Sequence, residues 1–322
     1  MMRQNLVQRV SIIAVFLVIF SIVGIMTTGT VNATSSFTKI QSGLVVSDSL
    51  VSGDTTGWTF GGTATSQSHY EDSQGLHIGV QAPQSGQWVN YYAHLSQPDA
   101  RLFHTTITIP DTTVGDGVSN LGLYVEGSDY IPHVGCEAYA DSTGYYWDVE
   151  QSSDAGQTYK ILYISQPNSL PKTQDCTIIT NGSNYLKVYI GNNLVVSSTT
   201  MNLGMSTPFI AFVQDDTSSN SMHYGIYQDY YVTSDENVQI TNIPSNVSTV
   251  KITDSSGQVL GSSSVASGAA TIDVGQYHFP LDATINAYDS SGNIVASNSE
   301  IMYGGDVYSI TSVSTAPQPP TG

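Results

Sequence analysis

Three short segments place carboxylates, an imidazole and phenols at alternate positions: Tyr124 with Glu126, His133 with Glu137 and Tyr139, and Tyr146 with Asp148 and Glu150. Side chains two apart on a β-strand share a face, so each segment, read as a strand, sends its polar set one way. Leu123 and Val125, then Val134, Cys136 and Ala138, then Tyr145, Trp147 and Val149 go the other way, as core sets do. If the three strands are neighbours in one meander, the polar sets merge into one surface, the concave face of a curved sheet. Such a surface suits sugars: the rings of Tyr124, Tyr139 and Tyr146 cover apolar C–H faces while carboxylates accept from hydroxyls. It also suits acid–base chemistry. Glu126, Glu137, Asp148 and Glu150 are the candidate acids and bases, provided their surroundings drive their pKa values apart. His133 or Tyr227 is the candidate proton carrier in an elimination. A solvated sheet face with no chemistry explains the same alternation. Trp58, Trp88 and Trp147 read as core residues.

The elements that must position these groups are strands. From Phe37 to Val232, short alternating runs are separated by Gly, Pro, Asn and Asp, and no segment keeps a helical period. About a dozen strands there fit an antiparallel two-sheet jelly roll better than a smaller immunoglobulin-type sandwich. The polar link Thr233 to Asn237 leads into shorter strands with hairpin turns at Asp254-Ser255-Ser256-Gly257 and Asp289 to Asn293. The expected fold is therefore all-β: a jelly roll over 37–232, a smaller β-sandwich over 237–313, and a proline-rich tail over 314–322.

Residues 1–33 have a basic start (Arg3, Arg9), an apolar run from Val10 to Met26 and the small-residue end Val31-Asn32-Ala33. That is the order of an export signal, with an uncleaved N-terminal anchor as the alternative, and it predicts an extracellular or cell-surface protein. The formal net charge is −18, and both Arg3 and Arg9 lie in the leader, so the remainder is more acidic still. Nucleic acid is thereby excluded as a partner, since phosphate binding requires a basic face. Charged residues are only 11% of the chain. A surface of hydroxyls and amides suits either an acidic habitat or ordinary extracellular life.

Cys136 and Cys176 are the only cysteines, and an even count in an exported chain predicts a disulfide. Asn181-Gly-Ser183 and Asn246-Val-Ser248 fit the glycosylation acceptor pattern. The ion the acidic loops suggest is calcium, at Asp111, Asp116, Asp215, Asp216 or Asp235. No loop has the ligand spacing of a known calcium motif, so neither metal nor cofactor is expected.

Tyr185 to Val195, Asp54-Thr55-Thr56-Gly57-Trp58 and the strand Gly225 to Val232 resemble segments of the concanavalin A-like lectin and glucanase superfamily. That resemblance implies a jelly roll and leaves function open among lectins, laminin-G-like modules, glucanases, alginate lyases and glutamic peptidases. Against the glucanase pattern of alternate acids, Asp148 and Glu150 match but Tyr146 stands in the nucleophile's place. Against the alginate lyases, Arg101, His133 and Tyr227 appear in order, with Ile131 where a Gln belongs. Segment order is similar to glutamic peptidases at Gln87-Trp88, Thr108-Ile109-Pro110, Leu121 to Gly127, Tyr145-Tyr146-Trp147 and Ala155-Gly156-Gln157. There, however, His133 replaces the catalytic Gln, and Gly225 or Ile226 the catalytic Glu.

The leading expectation is a non-catalytic protein that binds polysaccharide or surface glycan, or adheres through it. The first alternative is an acid-tolerant secreted hydrolase or lyase using the carboxylates of the polar face. The second is a structural surface or filament subunit.

Overall fold

The computed structural model describes residues 35–312 except 54, 56, 97–99, 128–131, 154–157 and 206–208. The expected export signal or anchor and the proline-rich tail lie outside the described residues. Among those described, regular structure is all strand. The first group is β1 (Ser35–Gln41), β2 (Leu44–Asp48), β3 (Thr59–Gly62), β4 (Ser66–Asp72), β5 (Gly75–Gln81), β6 (Val89–Ser96), β7 (Leu102–Thr108) and β8 (Ser119–Glu126). Then come β9 (His133–Asp141), β10 (Gly144–Ser152), β11 (Tyr159–Ile164), β12 (Thr173–Thr180), β13 (Leu186–Ile190), β14 (Asn193–Ser198), β15 (Phe209–Asp216) and β16 (His223–Thr233). The remainder are β17 (Asn237–Thr241), β18 (Val247–Asp254), β19 (Val259–Ser264), β20 (Ala270–Asp273), β21 (Leu281–Asp289), β22 (Ile294–Met302) and β23 (Val307–Ser312).

Two antiparallel sheets face each other. One has the order β11-β10-β9-β8-β15-β6-β3; the other has the order β14-β13-β12-β7-β16-β5-β4, with β2 added on β16. This is the expected jelly-roll sandwich. Its core is filled from both sheets by every second residue: Leu123, Val125, Val134, Ala138, Trp147, Val149 and Phe212 from one, Ile78, Phe103, Ile107, Ile178 and Val188 from the other. Trp147 is fully buried and its indole N–H donates to Pro171 O at 3.0 Å, so the large ring brings no unsatisfied donor inside.

The predicted disulfide joins the two sheets, Cys136 on β9 to Cys176 on β12. The pair is 40 residues apart in sequence, and closing a loop of that length restricts the unfolded chain. Replacing both cysteines by Ser should lower stability by about 2 to 4 kcal/mol. Urea midpoints of the two proteins check this; identical midpoints would show that the bridge contributes nothing.

A third sheet, of order β19-β18-β21-β22-β1-β23-β17-β20, curls until its end strands meet, with Gly261 of β19 against Ile272 of β20. It encloses Val238, Ile240, Val250, Ile252, Ile285 and Tyr308. The N-terminal strand belongs here: β1 pairs with β22 and β23, and Phe37 lies opposite Ile310 in this second core. The sequence reading, which began the jelly roll at 37, is corrected on this point. One alternating strand carries no mark of which core its apolar face enters.

The second core is continuous with the outer side of the jelly roll, where Leu102, Ile179, Tyr189 and Tyr231 pack into it. Lys187 reinforces this seam, reaching Glu236 at 2.7 Å and Asp273 at 2.8 Å. Of the two glycosylation acceptors, Asn246 is exposed in a turn, whereas Asn181 uses its own amide to hold one, accepting from Ser183, Asn184 and Tyr185 N–H.

Candidate functional site

The three predicted strands are neighbours, and β15 adds a fourth. Their registers set the outward side chains in rows: Asp148, Glu137, Gly122 and Val213; Glu150, Gly135, Tyr124 and Ala211; Ser152, His133 and Glu126; Tyr146, Tyr139, Asn120 and Asp215. The expected polar face exists, but it is buried rather than solvated. Glu126, Glu137, Asp148, Glu150 and His133 are each less than 9% exposed.

Glycines at the row centres open the space. A Cβ on Gly135 would sit 3.0 Å from the Tyr124 ring, and one on Gly122 would sit 2.7 Å from Glu137 Cβ. With both absent, the Tyr124 ring lies across β9. Its hydroxyl donates to Glu137 Oε2 at 2.6 Å, with Glu150 Oε1 at 3.5 Å from the same oxygen. Asn120 also donates to Glu137 Oε2, and His133 Nε2 is 3.2 Å from Glu150 Oε1.

These groups line a cleft of two adjoining lobes, of about 370 and 530 Å³, which share Tyr124, Glu150, Tyr159 and Asp215. Gly62, Thr63, Asn90, Tyr92, Glu126, His133 and Val213 complete the first lobe; Trp88 and Asn120 complete the second. Glu137 and Asp148 lie beneath, outside both linings.

Burial in so acidic a place favours protonated acids. It pushes Glu150 up to about 7, with hydrogen bonds from Tyr124 and Glu137 pulling back. Glu126 is pushed to about 7, with His133 opposing. Asp215 also reaches about 7, through burial and then the charges of Glu150 and Glu126. Asp148 rises to about 9 through burial and then Glu137 and Glu150, and burial with the Glu150 charge drives Glu137 well above the carboxylate range. The sequence expectation of an acid and a base with separated values is replaced by a coupled cluster. Once one member ionises, its charge holds the protons on the others.

Several expected residues fall elsewhere. Tyr227 is fully buried in the sandwich core, stacked on Phe212 at 4.7 Å and donating to Val213 O at 2.7 Å. It is a core residue, and no proton carrier for the cleft. Tyr227→Phe should lower stability by about 1 kcal/mol, the net worth of one hydrogen bond. A chemical denaturation curve checks this; a loss of ligand binding or turnover without loss of stability would restore its functional role.

Arg101 is exposed at the start of β7, and Gly225 and Ile226 lie on β16, all in the opposite sheet. Neither the lyase set nor the glutamic-peptidase pair is assembled. Tyr139 and Tyr146 stack on each other at 4.7 Å and line neither lobe. Trp88, expected in the core, is 60% exposed at the rim, because it precedes β6 rather than lying within the alternation.

Four of the five acids considered for calcium hold local structure or line the cleft. Asp116 accepts from Ser218 and Ser219, Asp235 from Glu236 and Asn237 N–H, and Asp216 pairs with His223 at 2.6 Å. Asp215, considered from sequence only as a calcium ligand, is the cleft carboxyl that the sequence reading missed. Its run Phe209-Ile-Ala-Phe-Val-Gln-Asp-Asp reads as a buried strand ending in a loop, and only pairing with β8 sets it across from Asn120.

The fold and cleft thus define an all-β jelly roll with a proton-sharing carboxyl cluster on one sheet. No family model matches the chain, and no curated protein matches it. Among solved structures it is similar to the carbohydrate-binding module CBM66 from Bacillus subtilis (13% identity, 54% of this chain and 94% of that one, TM-score 0.34). It is similar also to β-agarase A from Zobellia galactanivorans (10%, 62% and 93%, TM-score 0.38) and to the CBM2 module of the evolved Dit of Lactobacillus casei BL23 phage J-1 (12%, 61% and 97%, TM-score 0.42). Likeness at this level carries no argument about what this chain binds. The segment order shared with glutamic peptidases finds no support among these structures.

Proposed function

We propose that the cleft is the active site of an exported hydrolase of neutral polysaccharide that works near neutral pH, in place of the non-catalytic binding role expected from sequence. One observation carries this reading: Glu137 and Glu150 share the Tyr124 hydroxyl on the floor of an open cleft, with Asp215 lining the same lobes. A purely binding face has no use for buried carboxyls that must hold protons, since their desolvation lowers stability.

In this reading Glu150, protonated, gives its proton to the leaving glycosidic oxygen as the bond from that oxygen to the anomeric carbon breaks. A water oxygen bonds to that carbon, and Asp215 takes the water's proton in the form of the site where the two acids hold one proton between them and it rests on Glu150. Glu137 and Asp148 touch no substrate. Glu137 anchors the Tyr124 hydroxyl that contacts Glu150. The acidic cleft repels anionic chains, which restricts the substrate to neutral sugars.

The rim favours a second reading, glycan binding without turnover. Trp88 is 60% and Tyr159 54% exposed there, and such rings cover sugar faces. Incubation of the protein with neutral polysaccharides from pH 3 to 7, read as new reducing ends and as oligosaccharide binding, separates the two. Hydrolysis that Glu150→Gln abolishes supports the first reading. Binding without hydrolysis at any pH overturns it in favour of the second, and neither binding nor hydrolysis overturns both.

A further inference from the structure

On the outer side of the jelly roll, facing the second core, three side chains from separate segments converge: His104 on β7, Asp175 on β12 and His278 in the connection between β20 and β21. One ligand atom from each lies within 4.8 Å of the other two. We propose that these residues bind a late first-row divalent cation, zinc above all, at the seam between the two cores.

His104 is the residue that asks for a ligand. It is 1% exposed, and its Nε2 is buried without a hydrogen-bond partner. Leaving a buried ring nitrogen unsatisfied lowers stability, so such an atom calls for an explanation. Its other nitrogen, Nδ1, is 2.8 Å from Thr177 Oγ1, and its ring stacks on Tyr231 at 4.3 Å. A ring anchored through Nδ1 and aimed by Nε2 is how metal-ligating imidazoles are oriented.

The Nε2 points to Asp175, whose Oδ1 is 4.0 Å away and is itself held by Thr106 Oγ1 at 2.7 Å. Asp175 Oδ2 is 2.7 Å from His278 Nε2. Ligand atoms of a tetrahedral zinc lie about 3.4 Å apart, given bonds of about 2.0 to 2.1 Å. The distances here bracket that value, so the half-exposed His278 need shift only slightly. Two imidazoles and one carboxylate select zinc and its neighbours over calcium or magnesium, which prefer oxygen. His278 also lines a surface pocket with Asp229, Tyr231 and Pro280, which supplies an entry path and room for a water as fourth ligand.

The test uses the full chain, stripped with a chelator and dialysed at pH 7 against zinc, with bound metal counted by elemental analysis. The expected result is one zinc per chain. Cobalt in its place should show the intense visible bands of a tetrahedral rather than an octahedral site. His278→Ala removes an exposed ligand without opening the core and should weaken binding more than about 100-fold. Thr177→Val, a change one shell out, should weaken it about 10- to 100-fold. Glu150→Gln in the cleft should leave it unchanged. No zinc retained by the folded wild-type chain, zinc retained undiminished by His278→Ala, or octahedral cobalt would each overturn the assignment.

Discussion

Glu150→Gln should lower the rate of polysaccharide hydrolysis by about 10²- to 10⁴-fold, the usual contribution of a positioned general acid. The amide has the shape of the acid and can still pair with Tyr124 and His133, so folding and oligosaccharide binding should stay near wild type. The loss then appears in kcat with KM little changed. Asp215→Asn should behave likewise, since both groups line both lobes. Glu126→Gln, affecting a group of the first lobe only, should have a smaller effect. With Glu150 and Asp215 both lifted to about 7, activity should peak near neutrality and fall on both sides, in acid as Asp215 takes up a proton and in base as Glu150 loses its own. Rates of the three variants, measured across pH 3 to 8 with circular dichroism as the folding control, decide the matter. Activity that survives Glu150→Gln removes the mechanism.

The same cluster sets an unusual pH dependence of stability. For a carboxyl whose pKa is raised by folding, the folded chain holds the proton over a range where the unfolded chain has released it. Glu126, Glu150 and Asp215 rise to about 7 and Asp148 to about 9, from unfolded values near 4. Stability is therefore full at or below about pH 4 to 5 and is lost progressively as pH rises through 7 and 9. Self-repulsion of a chain of net charge −18 acts in the same direction.

Carboxylates with lowered values act oppositely. Asp72 accepts from Gln74 N–H, Asp116 from Ser218, Asp254 from Ser256 and Asp289 from Asn293, and their contribution fades as pH falls below the unfolded value. The maximum should lie between these limits, in mild acid. Each unit of raised pKa is worth about 1.4 kcal/mol, so the melting temperature should drop by about 5 °C or more from pH 4.5 to 8.5. Glu137→Gln removes one buried acid whose proton folding must retain and should flatten the profile, gaining stability at pH 8.5 relative to wild type. A wild-type melting temperature that is constant or rising over this range would contradict the cluster's raised values.

The face that carries these predictions was visible in the sequence because its signal is local. Tyr124 and Glu126, His133 and Glu137, and Asp148 and Glu150 alternate with Leu123, Val134, Cys136 and Trp147, and the pleat of a single strand turns that alternation into two faces. The disulfide followed as readily, because two cysteines allow one pairing. Tyr227 shows where this reasoning stops. Its strand carries Tyr224, Tyr227, Tyr230 and Tyr231, with rings on both faces, and only the position of Phe212 in the facing sheet shows that Tyr227 points inward. Trp88 was misplaced because a residue just outside a strand has no assigned face.

What the sequence determined alone, then, is the all-β class, the polar set of each strand and the cystine. Tertiary structure decided which strands lie side by side. It set β15 against β8, bringing Asp215 to the cleft, sent β1 to the second core, and brought His278 to His104 and Asp175. The physical reason is that strand alternation is dictated by backbone geometry over a few residues. Neighbours in a sheet, by contrast, are chosen by packing between segments far apart in the chain.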